Sequence, residues 1–421
     1  ATNSFEFVDW DTPLAVVTGD ATYTASFNTV AKKFMVTWKD DKGNEIDHME
    51  YASGQTPTHE DPVKEGYTFT GWTPAITAVM DKDQVYTANF KINQYTIRFV
   101  DEDGTELKVQ TVNHGVKPTA PANKPTKDGY SFSAWNPGIV AATEDATYTA
   151  TYLLNIASVT TSKGTTPYTS WSGALDAANK AENSTLKLLT DVGGLGSQAI
   201  KQTFTLDLNG HALRGSANKL LELQTAGKTL TIRDSQGGGK IETKSANSQL
   251  VAVYVTKGTL NIEGGHIRAE NTYTGTSTSY YGCGVLVSSG YACNMSGGTV
   301  EGITNIDVAY GLYNNGGTVT ITGGTINAEA QTKAYGVHVK GNTTVENATV
   351  NATTTRTTIA DAFYVTAAKT LTIHSGVFTA NALTTAGYAI EATAAATINV
   401  NGGKFKSTTK TVSNTGSATI Q

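Results

Sequence analysis

Cysteine and proline are scarce in this chain of 421 residues, which contains two cysteines and nine prolines. Such low cysteine usage fits either a reducing compartment or a secreted bacterial protein that avoids thiols. No apolar run approaches the ~18 residues that are needed to span a bilayer. The 42 glycines do not fall at every third position, which excludes a collagen helix.

An excess of one charge sign is also lacking, because 31 basic residues stand against 36 acidic ones and the net charge is −5. This balance argues against a nucleic-acid-binding protein. Residues 1–154 hold 21 acids and 12 bases, whereas residues 155–421 hold 15 acids and 19 bases. The asymmetry favours two architectures in one chain. With no signal peptide or sorting motif at its ends, we expect a segment of a longer protein, cut inside a repeat.

What the chain has instead is frequent Thr, Val, Ile and Tyr with regular Gly, a composition typical of repeated β structure. One aromatic pattern occurs three times in the first 154 residues. Its tryptophans are spaced by 62 and 63 residues, and the aromatic residue that closes each copy is spaced by 63 and 62. These residues are Trp10, Trp72 and Trp135, and then Phe27, Phe90 and Tyr152.

Each copy of this repeat predicts a small sheet. Residues 34–38 and 95–99 alternate with period 2 and predict opening strands, each followed by a polar turn that contains Gly. Tyr67 and Phe69 should share one face, with Trp72 packed across them, and the last strand should close the sheet. We expect the tryptophans to fill the core of each copy, while a role in stacking on carbohydrate stays open.

Two strings carry a family resemblance: Lys64-Glu65-Gly66-Tyr67-Thr68-Phe69-Thr70-Gly71-Trp72 and Pro125-Thr126-Lys127-Asp128-Gly129-Tyr130-Ser131-Phe132-Ser133-Ala134-Trp135. They resemble the Listeria–Bacteroides repeat, or internalin B-repeat, although Ala134 stands where the family usually has Gly. The resemblance implies a small β-grasp-like fold that acts as a stalk or binding module of bacterial surface proteins, without catalysis.

A second repeat, of about 26 residues, occupies residues 155–421. An apolar alternation runs into a pair of small residues, as in Leu260-Asn261-Ile262-Glu263-Gly264-Gly265, and successive pairs are 26, 33, 26, 24, 28 and 27 residues apart. One short strand precedes each such segment and another follows it. Three strands in each coil, with a glycine corner, predict a parallel β-helix in which Val253, Val255, Leu260 and Ile262 face inward.

A helix is predicted over residues 168–181, with Ser170 or Ser172 as its N-cap and an apolar face formed by Trp171, Ala174, Leu175 and Ala178. It would cover the open first coil. This helix, the string at 206–213 and the repeated "T-I-x-G-G-x-I" pattern resemble the pectate-lyase-like right-handed β-helix superfamily. That fold carries lyases, hydrolases, tailspikes and adhesins, so it does not by itself give a function.

A polysaccharide lyase of this fold needs acids on adjacent coils for Ca²⁺, and a hydrolase needs two carboxyls roughly 5–9.5 Å apart. In residues 155–421 the sequence shows neither an acidic cluster nor histidines at metal-ligand spacing, so we predict no catalytic residue, no metal and no cofactor. A site split between columns stays open. Cys283 and Cys293 take inward parity and are expected to be free buried thiols, although a disulfide within the coil is the alternative.

Tyrosines recur before or within one strand of successive coils, and they predict a partly exposed aromatic stripe along one face. Ordinary stacking of these rings is the alternative. The stripe is the candidate binding site for a glycan or a host protein. Its predicted members are Tyr254, Tyr310, Tyr335, Tyr364 and Tyr388.

The sequence therefore predicts a mainly β chain: part of a repeat at 1–30, whole repeats at 31–91 and 92–154, and a right-handed parallel β-helix with a helical cap at 155–421. We expect a non-catalytic, adhesin-like protein of the bacterial cell surface, with the repeats as a stalk and its parent chain anchored to the cell envelope. A polysaccharide lyase or glycoside hydrolase with a diverged site is one alternative, and a purely architectural segment is another.

Overall fold

A computed structural model describes residues 3–79, 81–275, 280–356, 359–383 and 386–421. The chain is mainly β and forms two compact units. The first unit comprises Ala1–Thr126 and Phe132–Tyr152, and the second comprises Lys127–Ser131 and Leu153–Gln421. Within these described residues, no helix has both the length and the apolar character needed to cross a membrane.

The early part of the chain consists of one two-stranded and two four-stranded sheets. Its strands are β1 (Asn3–Trp10), β2 (Ala25–Ala31), β3 (Lys33–Lys39), β4 (Glu45–Ala52), β5 (Tyr67–Thr73), β6 (Gln84–Ile92), β7 (Gln94–Val100), β8 (Glu106–Asn113), β9 (Tyr130–Asn136) and β10 (Ala146–Leu154). The four-stranded sheets have the orders β4-β3-β6-β5 and β8-β7-β10-β9. The repeats of the sequence are therefore repeats of structure.

Both predicted opening strands, β3 and β7, lie inside their sheets and are confirmed. The last strand of each whole repeat is also internal: β6 pairs in parallel with β3, and β10 pairs in parallel with β7. The prediction that the last strand closes the sheet is therefore wrong. The edge positions are taken by β5 and β9, each of which pairs only with the strand that follows it in the chain; the pairing of β5 with β6 is antiparallel.

The core of each repeat is centred on the internal strands. In the first whole repeat, Trp38 and Tyr86 are fully buried and stack with ring centroids 4.9 Å apart. Trp72 is half-buried and packs edge-on against Trp38 at 4.6 Å. Trp10, in the two-stranded copy, is 38% exposed. The expected core role of the repeated tryptophan thus holds only in part, since this residue borders the core.

A shared aromatic geometry links the three copies. The ring centroids of the Phe–Trp pair are 5.6, 5.4 and 5.3 Å apart in successive copies, represented by Phe69 and Trp72 in the middle one. The register of β5 against β6 shifts between Phe69 and Gly71. Because strand side chains alternate between faces, such a bulge lets two residues three positions apart meet on one face.

In the described residues of the second unit there are one helix and thirty strands. In chain order the first elements are β11 (Ala157–Thr161), β12 (Gly164–Tyr168), α1 (Trp171–Ala178), β13 (Ser184–Leu188), β14 (Val192–Leu195), β15 (Gln198–Ile200), β16 (Phe204–Asp207), β17 (Ala212–Gly215), β18 (Lys219–Leu223), β19 (Thr229–Arg233), β20 (Lys240–Ser245), β21 (Gln249–Val255), β22 (Thr259–Ile262), β23 (His266–Asn271) and β24 (Tyr281–Ser288). The next are β25 (Ala292–Met295), β26 (Thr299–Thr304), β27 (Val308–Asn315), β28 (Thr318–Ile321), β29 (Thr325–Ala330), β30 (Lys333–Val339), β31 (Asn342–Val345), β32 (Ala348–Thr354) and β33 (Ile359–Val365). The last are β34 (Thr370–Ile373), β35 (Gly376–Asn381), β36 (Ala386–Ala392), β37 (Thr397–Val400), β38 (Lys404–Ser407), β39 (Lys410–Asn414) and β40 (Thr419–Ile420).

From β13 onward the chain visits three sheets in turn, and every third strand pairs in parallel with its predecessor. Sheet I has the order β12-β11-β13-β16-β19-β22-β25-β28-β31-β34-β37-β40. Sheet II has the order β14-β17-β20-β23-β26-β29-β32-β35-β38, and sheet III has the order β15-β18-β21-β24-β27-β30-β33-β36-β39. Three successive strands, one from each sheet, are here called a coil.

The core of this unit runs through all the coils, because equivalent residues are paired in register. Leu260, for example, pairs with Cys293, which in turn pairs with Val319. The predicted inward residues Val253, Val255, Leu260 and Ile262 are all fully buried in one continuous apolar cluster, which confirms their orientation.

The corners between sheets I and II use the paired small residues. At Gly298 the backbone has a φ of +77°, and a Cβ atom would lie 2.7 Å from the carbonyl oxygen of Gly265 in the preceding coil. Both constraints favour glycine. In the one pair that lacks glycine, Asn347 adopts the positive φ, at +52°.

The predicted helix is present as α1, and Ser170 is its N-cap, with the side chain accepting a hydrogen bond from the backbone N–H of Gly173. Trp171, Ala174 and Leu175 are among its buried residues and belong to the same apolar cluster as the strands. The Trp171 Nε1–H donates to Oε1 of Gln198, 2.7 Å away. The helix therefore packs on the start of the second unit.

A column of small residues interrupts the regular alternation of sheet III. Ala252 and Val253 are adjacent in β21, yet both lie in the central apolar cluster, whereas Val251 lies in a separate one. The position of Ala252 is occupied in the later coils by Gly284, Gly311, Gly336, Ala362 and Ala389. A Cβ atom at Gly311 would contact Ile326 and lie 2.7 Å from the carbonyl oxygen of Gly336. The strand bends here, and only a small residue fits.

We predict that Gly311→Ala destabilises the middle coils by about 1–3 kcal/mol, the usual cost of overpacking. Hydrogen exchange of the full chain, read by mass spectrometry, should show faster exchange in β24, β27 and β30. Gly193→Ala is the matched control, since its Cβ would meet no atom within 4 Å. Unchanged protection in Gly311→Ala would contradict the close-packing explanation.

Candidate functional site

Two columns of outward side chains lie next to each other on sheet III, because of the bend at the small residues. Column A contains, in register, Lys219, Val251, Cys283, Tyr310, Tyr335, Asp361, Tyr388 and Lys410. Column B contains Glu222, Tyr254, Leu286, Tyr313, His338, Tyr364, Glu391 and Ser413. Together these columns are called the aromatic face.

All five tyrosines of the predicted stripe lie on this face, but in different columns. Tyr310, Tyr335 and Tyr388 belong to column A, whereas Tyr254 and Tyr364 belong to column B. The sequence pattern did not separate the columns, since it assumed regular alternation through each strand. It also missed Tyr313 and His338, which are identified only when the strands are placed in register.

The rings of the aromatic face stack on one another along the coils. Tyr335 and Tyr364 are almost parallel, with centroids 4.4 Å apart and an interplanar angle of 11°. Tyr313 and His338 have the same relation at 4.5 Å. Tyr310 joins the two columns, because its centroid lies 5.0 Å from that of Tyr313 and 5.7 Å from that of Tyr335. The result is a continuous wall of rings.

The predicted partial exposure holds for most of these tyrosines but not for all. Tyr254, Tyr310, Tyr364 and Tyr388 are half-buried. Tyr335 is only 5% exposed, so its expected exposure is corrected. Its ring is enclosed because neighbours in both columns stack against it. A ligand on this face therefore meets ring edges and partial faces rather than a row of open rings.

His338 is buried within the aromatic wall, at 5% exposure. Its Nε2 lies 2.8 Å from Oγ1 of Thr366, while its Nδ1 has no hydrogen-bond partner. Burial, together with the nearby positive charge of Lys340, lowers the pKa of the imidazole to about 3. The ring is therefore neutral at physiological pH and acts as a stacking surface.

A pair of carboxyls lies beyond the rings, where Asp361 is fully buried in column A and Glu391 is half-buried in column B. Neither carboxyl oxygen of Asp361 has a hydrogen-bond partner. The Glu391 carboxyl and the backbone N–H of Tyr388 lie near enough to affect its ionisation. Burial first, and then the charge of Glu391, raise the pKa of Asp361.

Positive charges sit at two places along the aromatic face. The Nζ of Lys219 lies over the Tyr254 ring, 4.5 Å from its centroid, and the Nζ of Lys340 lies 5.4 Å from the centroid of Tyr313. Such cation–π contacts are attractive because the ring face carries negative electrostatic potential. Asp361 and Glu391 lie further along the coils, whereas Glu222 lies beside Lys219, so this face carries both acidic and basic groups.

The two cysteines lie in different parts of the unit. Cys293 is inward, in the central apolar cluster, as predicted. Cys283 is also buried, but it packs with Val251 and Leu286 under the tyrosines. Its predicted inward parity is wrong because of the bend at the small residue. Both thiols are free, and the disulfide alternative is thereby excluded in this structure.

Sheet II carries a charged ladder that the sequence did not reveal. Arg214, Glu242, Arg268 and Glu301 are consecutive in one outward column. Their charges alternate, and the Nε of Arg214 lies 3.0 Å from Oε2 of Glu242. Arg268 pairs with Glu301 through its Nε, again at 3.0 Å. Opposite charges directly across neighbouring strands stabilise the pairing, and like charges would oppose it.

The ladder also brings acids that are distant in sequence onto neighbouring strands. Glu242 and Glu270 line one cavity of about 300 Å³, whose other walls include Arg214, Arg268 and Lys244. Because these acids come from different strands, no local sequence motif predicts that they lie close together. Each is ion-paired, Glu270 with Lys244 at 2.7 Å, and so none is arranged as a free base. Over the described ranges, no group of three potential metal ligands occurs.

Comparison with known protein families identifies the repeats. Residues 34–92 and 95–165 match the Listeria-Bacteroides repeat domain, which confirms the resemblance predicted for the first part of the chain. These segments include the two four-stranded sheets. The early part of the chain is thus a tandem array of repeats similar to that domain.

Individual relatives match over the same kind of segment. Internalin H of Listeria monocytogenes is 44% identical over 84 residues, which are 18% of this chain and 15% of that protein. Two proteins of Evansella cellulosilytica, provisionally named as membrane proteins and one of them as Gly-rich, are each 28% identical, over 136 and 112 residues. These matches cover 30% and 24% of this chain. The chain spans only 13–20% of the length of these three relatives.

Two solved structures align with short parts of the chain. One contains streptococcal high identity repeats in tandem, SHIRT domains 3–4, from a cell surface protein; it is 18% identical and covers 32% of this chain and 99% of its own, with a TM-score of 0.16. The other is Mub-RV, 15% identical, covering 29% of this chain and 98% of its own, with a TM-score of 0.11. At such TM-scores neither alignment bears on the fold.

We predict that neither thiol of the folded chain reacts with a disulfide reagent at pH 8, and that both react after denaturation. Burial raises the pKa of Cys293 to about 12 and raises that of Cys283 as well, so almost no thiolate is present. Spectrophotometric titration with and without guanidinium measures this. Rapid reaction of one thiol in the native protein would contradict the buried positions.

For the charged ladder, we predict that Arg268→Ala lowers the free energy of unfolding by about 1–2 kcal/mol, because two partly buried carboxylates lose a partner. Those acids, Glu270 and Glu301, each have side chains 18% exposed. Lys180→Ala breaks a solvent-exposed ion pair with Asp176 and should change stability little. Guanidinium unfolding compares both variants with the parent, and equal midpoints for all three would contradict a structural role of the ladder.

Proposed function

We propose that residues 155–421 form a right-handed parallel β-helix, with α1 covering its first coil. The support is the regular passage of the chain through sheets I, II and III, with each strand in register with the strand three positions earlier. We also propose the domain divisions predicted from sequence, with a partial repeat at 1–30 and whole repeats at 31–91 and 92–154. Stacking of coils would then give a stiff scaffold.

We propose that this chain is a non-catalytic part of an adhesin-like protein on the bacterial surface. Its repeats would act as a stalk, and the parent chain would be anchored in the cell envelope outside this segment. The similarity of the repeats to those of Internalin H and to membrane-protein sequences supports that location.

The single observation that carries a binding role is the aromatic face. Tyrosine rings from five coils occupy two adjacent columns, and all of them except Tyr335 remain partly accessible, while the other outward residues of the unit are largely polar or ion-paired. Tyrosine supplies a large contact area at low conformational cost and has a polar tip for hydrogen bonding. The ligand is a glycan or a protein of the host or the extracellular surroundings.

We predict that Tyr364→Ala weakens ligand binding at least about tenfold, equivalent to about 1.4 kcal/mol, as expected for an aromatic hot spot. Tyr364 is chosen because it is half-buried and stacks on the enclosed Tyr335. A glycan array and a capture assay with host extracellular proteins would first identify ligands of the parent chain. Titration of each captured ligand then compares the variant.

The matched control is Tyr130→Ala, a tyrosine of β9 that is 37% exposed and does not belong to the aromatic face. It should bind as the parent does. If the unmodified chain binds nothing in either assay, or if Tyr364→Ala binds as tightly as the unmodified chain, the aromatic face has no binding role. The second unit would then be a spacer only. Incubation with polyuronates and host glycans, with and without Ca²⁺, checks the absence of catalysis: released unsaturated or reducing ends would contradict it.

A further inference from the structure

Orphaned polar atoms concentrate on the aromatic face. Across the described ranges, six buried side-chain nitrogen and oxygen atoms lack a hydrogen-bond partner, and three of the six belong to this face. They are Nδ1 of His338 and both carboxyl oxygens of Asp361. Buried polar groups in folded proteins are nearly always paired, so an exception in one place asks for an explanation.

Asp361 is the less expected of the two residues. A carboxyl that is fully buried without a partner is unfavourable in either protonation state, because it loses its hydration and gains no hydrogen bond in return. A hydrophobic residue would fill the same position at lower cost. The position is outward in column A, between Tyr335 and Tyr388, and therefore away from the main core.

Other members of the two columns surround this carboxyl. We call the following group the acidic end of the aromatic face: Tyr335, Asp361, Tyr364, Tyr388 and Glu391. It combines two carboxyls with three tyrosine rings. Tyr364, Tyr388 and Glu391 are half-buried, so the group reaches the surface. Asp361 is fully buried, so a ligand would reach it only if one of these side chains rotated.

We infer that the acidic end is a subsite for one cationic side chain, Lys or Arg, of a partner protein. This inference rests on the proposed binding role of the aromatic face and names the chemistry of its ligand. A cation satisfies both carboxyls at once and is attracted to ring faces. An arginine adds planar stacking on tyrosine.

Two observations favour a protein side chain over other cations. Within the described residues no three potential metal ligands lie together, so the acidic end lacks the oxygen-rich shell of a Ca²⁺ site. The aromatic wall next to it offers a long, half-buried tyrosine surface, which is the composition typical of protein interface cores. A charged anchor beside such a wall is the common arrangement of a binding hot spot.

Proton release should accompany binding. Burial and the Glu391 charge raise the pKa of Asp361, so this carboxyl holds its proton in the free protein, and a bound cation favours the ionised form. Affinity should therefore rise with pH, by at most about tenfold per pH unit when one proton is released. The titratable or charged groups on neighbouring strands are Tyr335, His338, Lys340, Tyr364, Tyr388, Glu391 and Lys410.

The test measures binding of decalysine and decaarginine peptides to the full chain by calorimetry at pH 6, 7 and 8. Nε-acetylated decalysine serves as the uncharged probe. We expect both cationic peptides to bind more tightly as the pH rises and the acetylated peptide not to bind. Asp361→Asn should weaken binding at least tenfold and remove most of the pH dependence.

Two further variants keep the test decisive. Glu391→Gln changes a half-buried carboxyl and should also weaken binding. It provides the test if Asp361→Asn does not fold. Glu346→Gln removes an exposed acid that lies outside the aromatic face and should bind as the unmodified chain does. Circular dichroism checks that each variant is folded.

Equal binding by Asp361→Asn and the unmodified chain would overturn the inference. An equal loss of binding in Glu346→Gln would also overturn it, because that result would indicate nonspecific attraction. Binding of chitosan oligosaccharides without binding of the peptides would point to an amino glycan instead and would also overturn it. A different result would contradict the proposed binding role of the aromatic face: unchanged binding of the ligand identified on the array by Tyr364→Ala.

Discussion

The structure depends on one constraint: each strand of the second unit lies in register with the strand three positions before it. This pairing places equivalent residues of successive coils directly against one another. An inward position is therefore apolar in nearly every coil, and outward side chains of successive coils form columns in which each residue contacts its equivalents. Both the core and the aromatic face follow from that register, as does the alternating charge of sheet II.

Much of this arrangement could be predicted from sequence. The repeated aromatic landmarks identified the early repeats, and the glycine pairs located the corners, because each feature is needed afresh in every copy. The helix α1 was predictable as well, since Ser170 and the spacing of Trp171, Ala174 and Leu175 are local signals. Patterns of this kind can be recognised in the sequence because their physical cause lies within a few residues.

Features that depend on pairing between distant residues were harder to predict. The bend at Gly284 moved Cys283 from the expected core to the underside of the tyrosines, and nothing in the alternation of β24 indicates that change. Glu242, Glu270 and Glu301 are scattered in sequence and meet only through the register of sheet II. Tyr313 and His338 joined the predicted stripe for the same reason.

Sheets II and III show two ways of treating outward polar groups on the same scaffold. On sheet II, Arg268 joins acids of adjacent coils, so the charges compensate one another within the chain. On sheet III, rings enclose Asp361 and leave its oxygens without a partner. The first arrangement is complete by itself, and the second is one that an external group would complete.

The column of small residues at the bend of sheet III, from Ala252 to Ala389, also bears on how such a molecule changes over generations. Every coil that keeps a small residue there meets its neighbours with the same close backbone approach, which is one requirement for exchanging a coil without disturbing the next. Gain or loss of one coil by recombination would lengthen or shorten the scaffold without creating a new kind of junction. Point substitution would meanwhile alter only what the coil displays, so that reach and recognition can evolve independently.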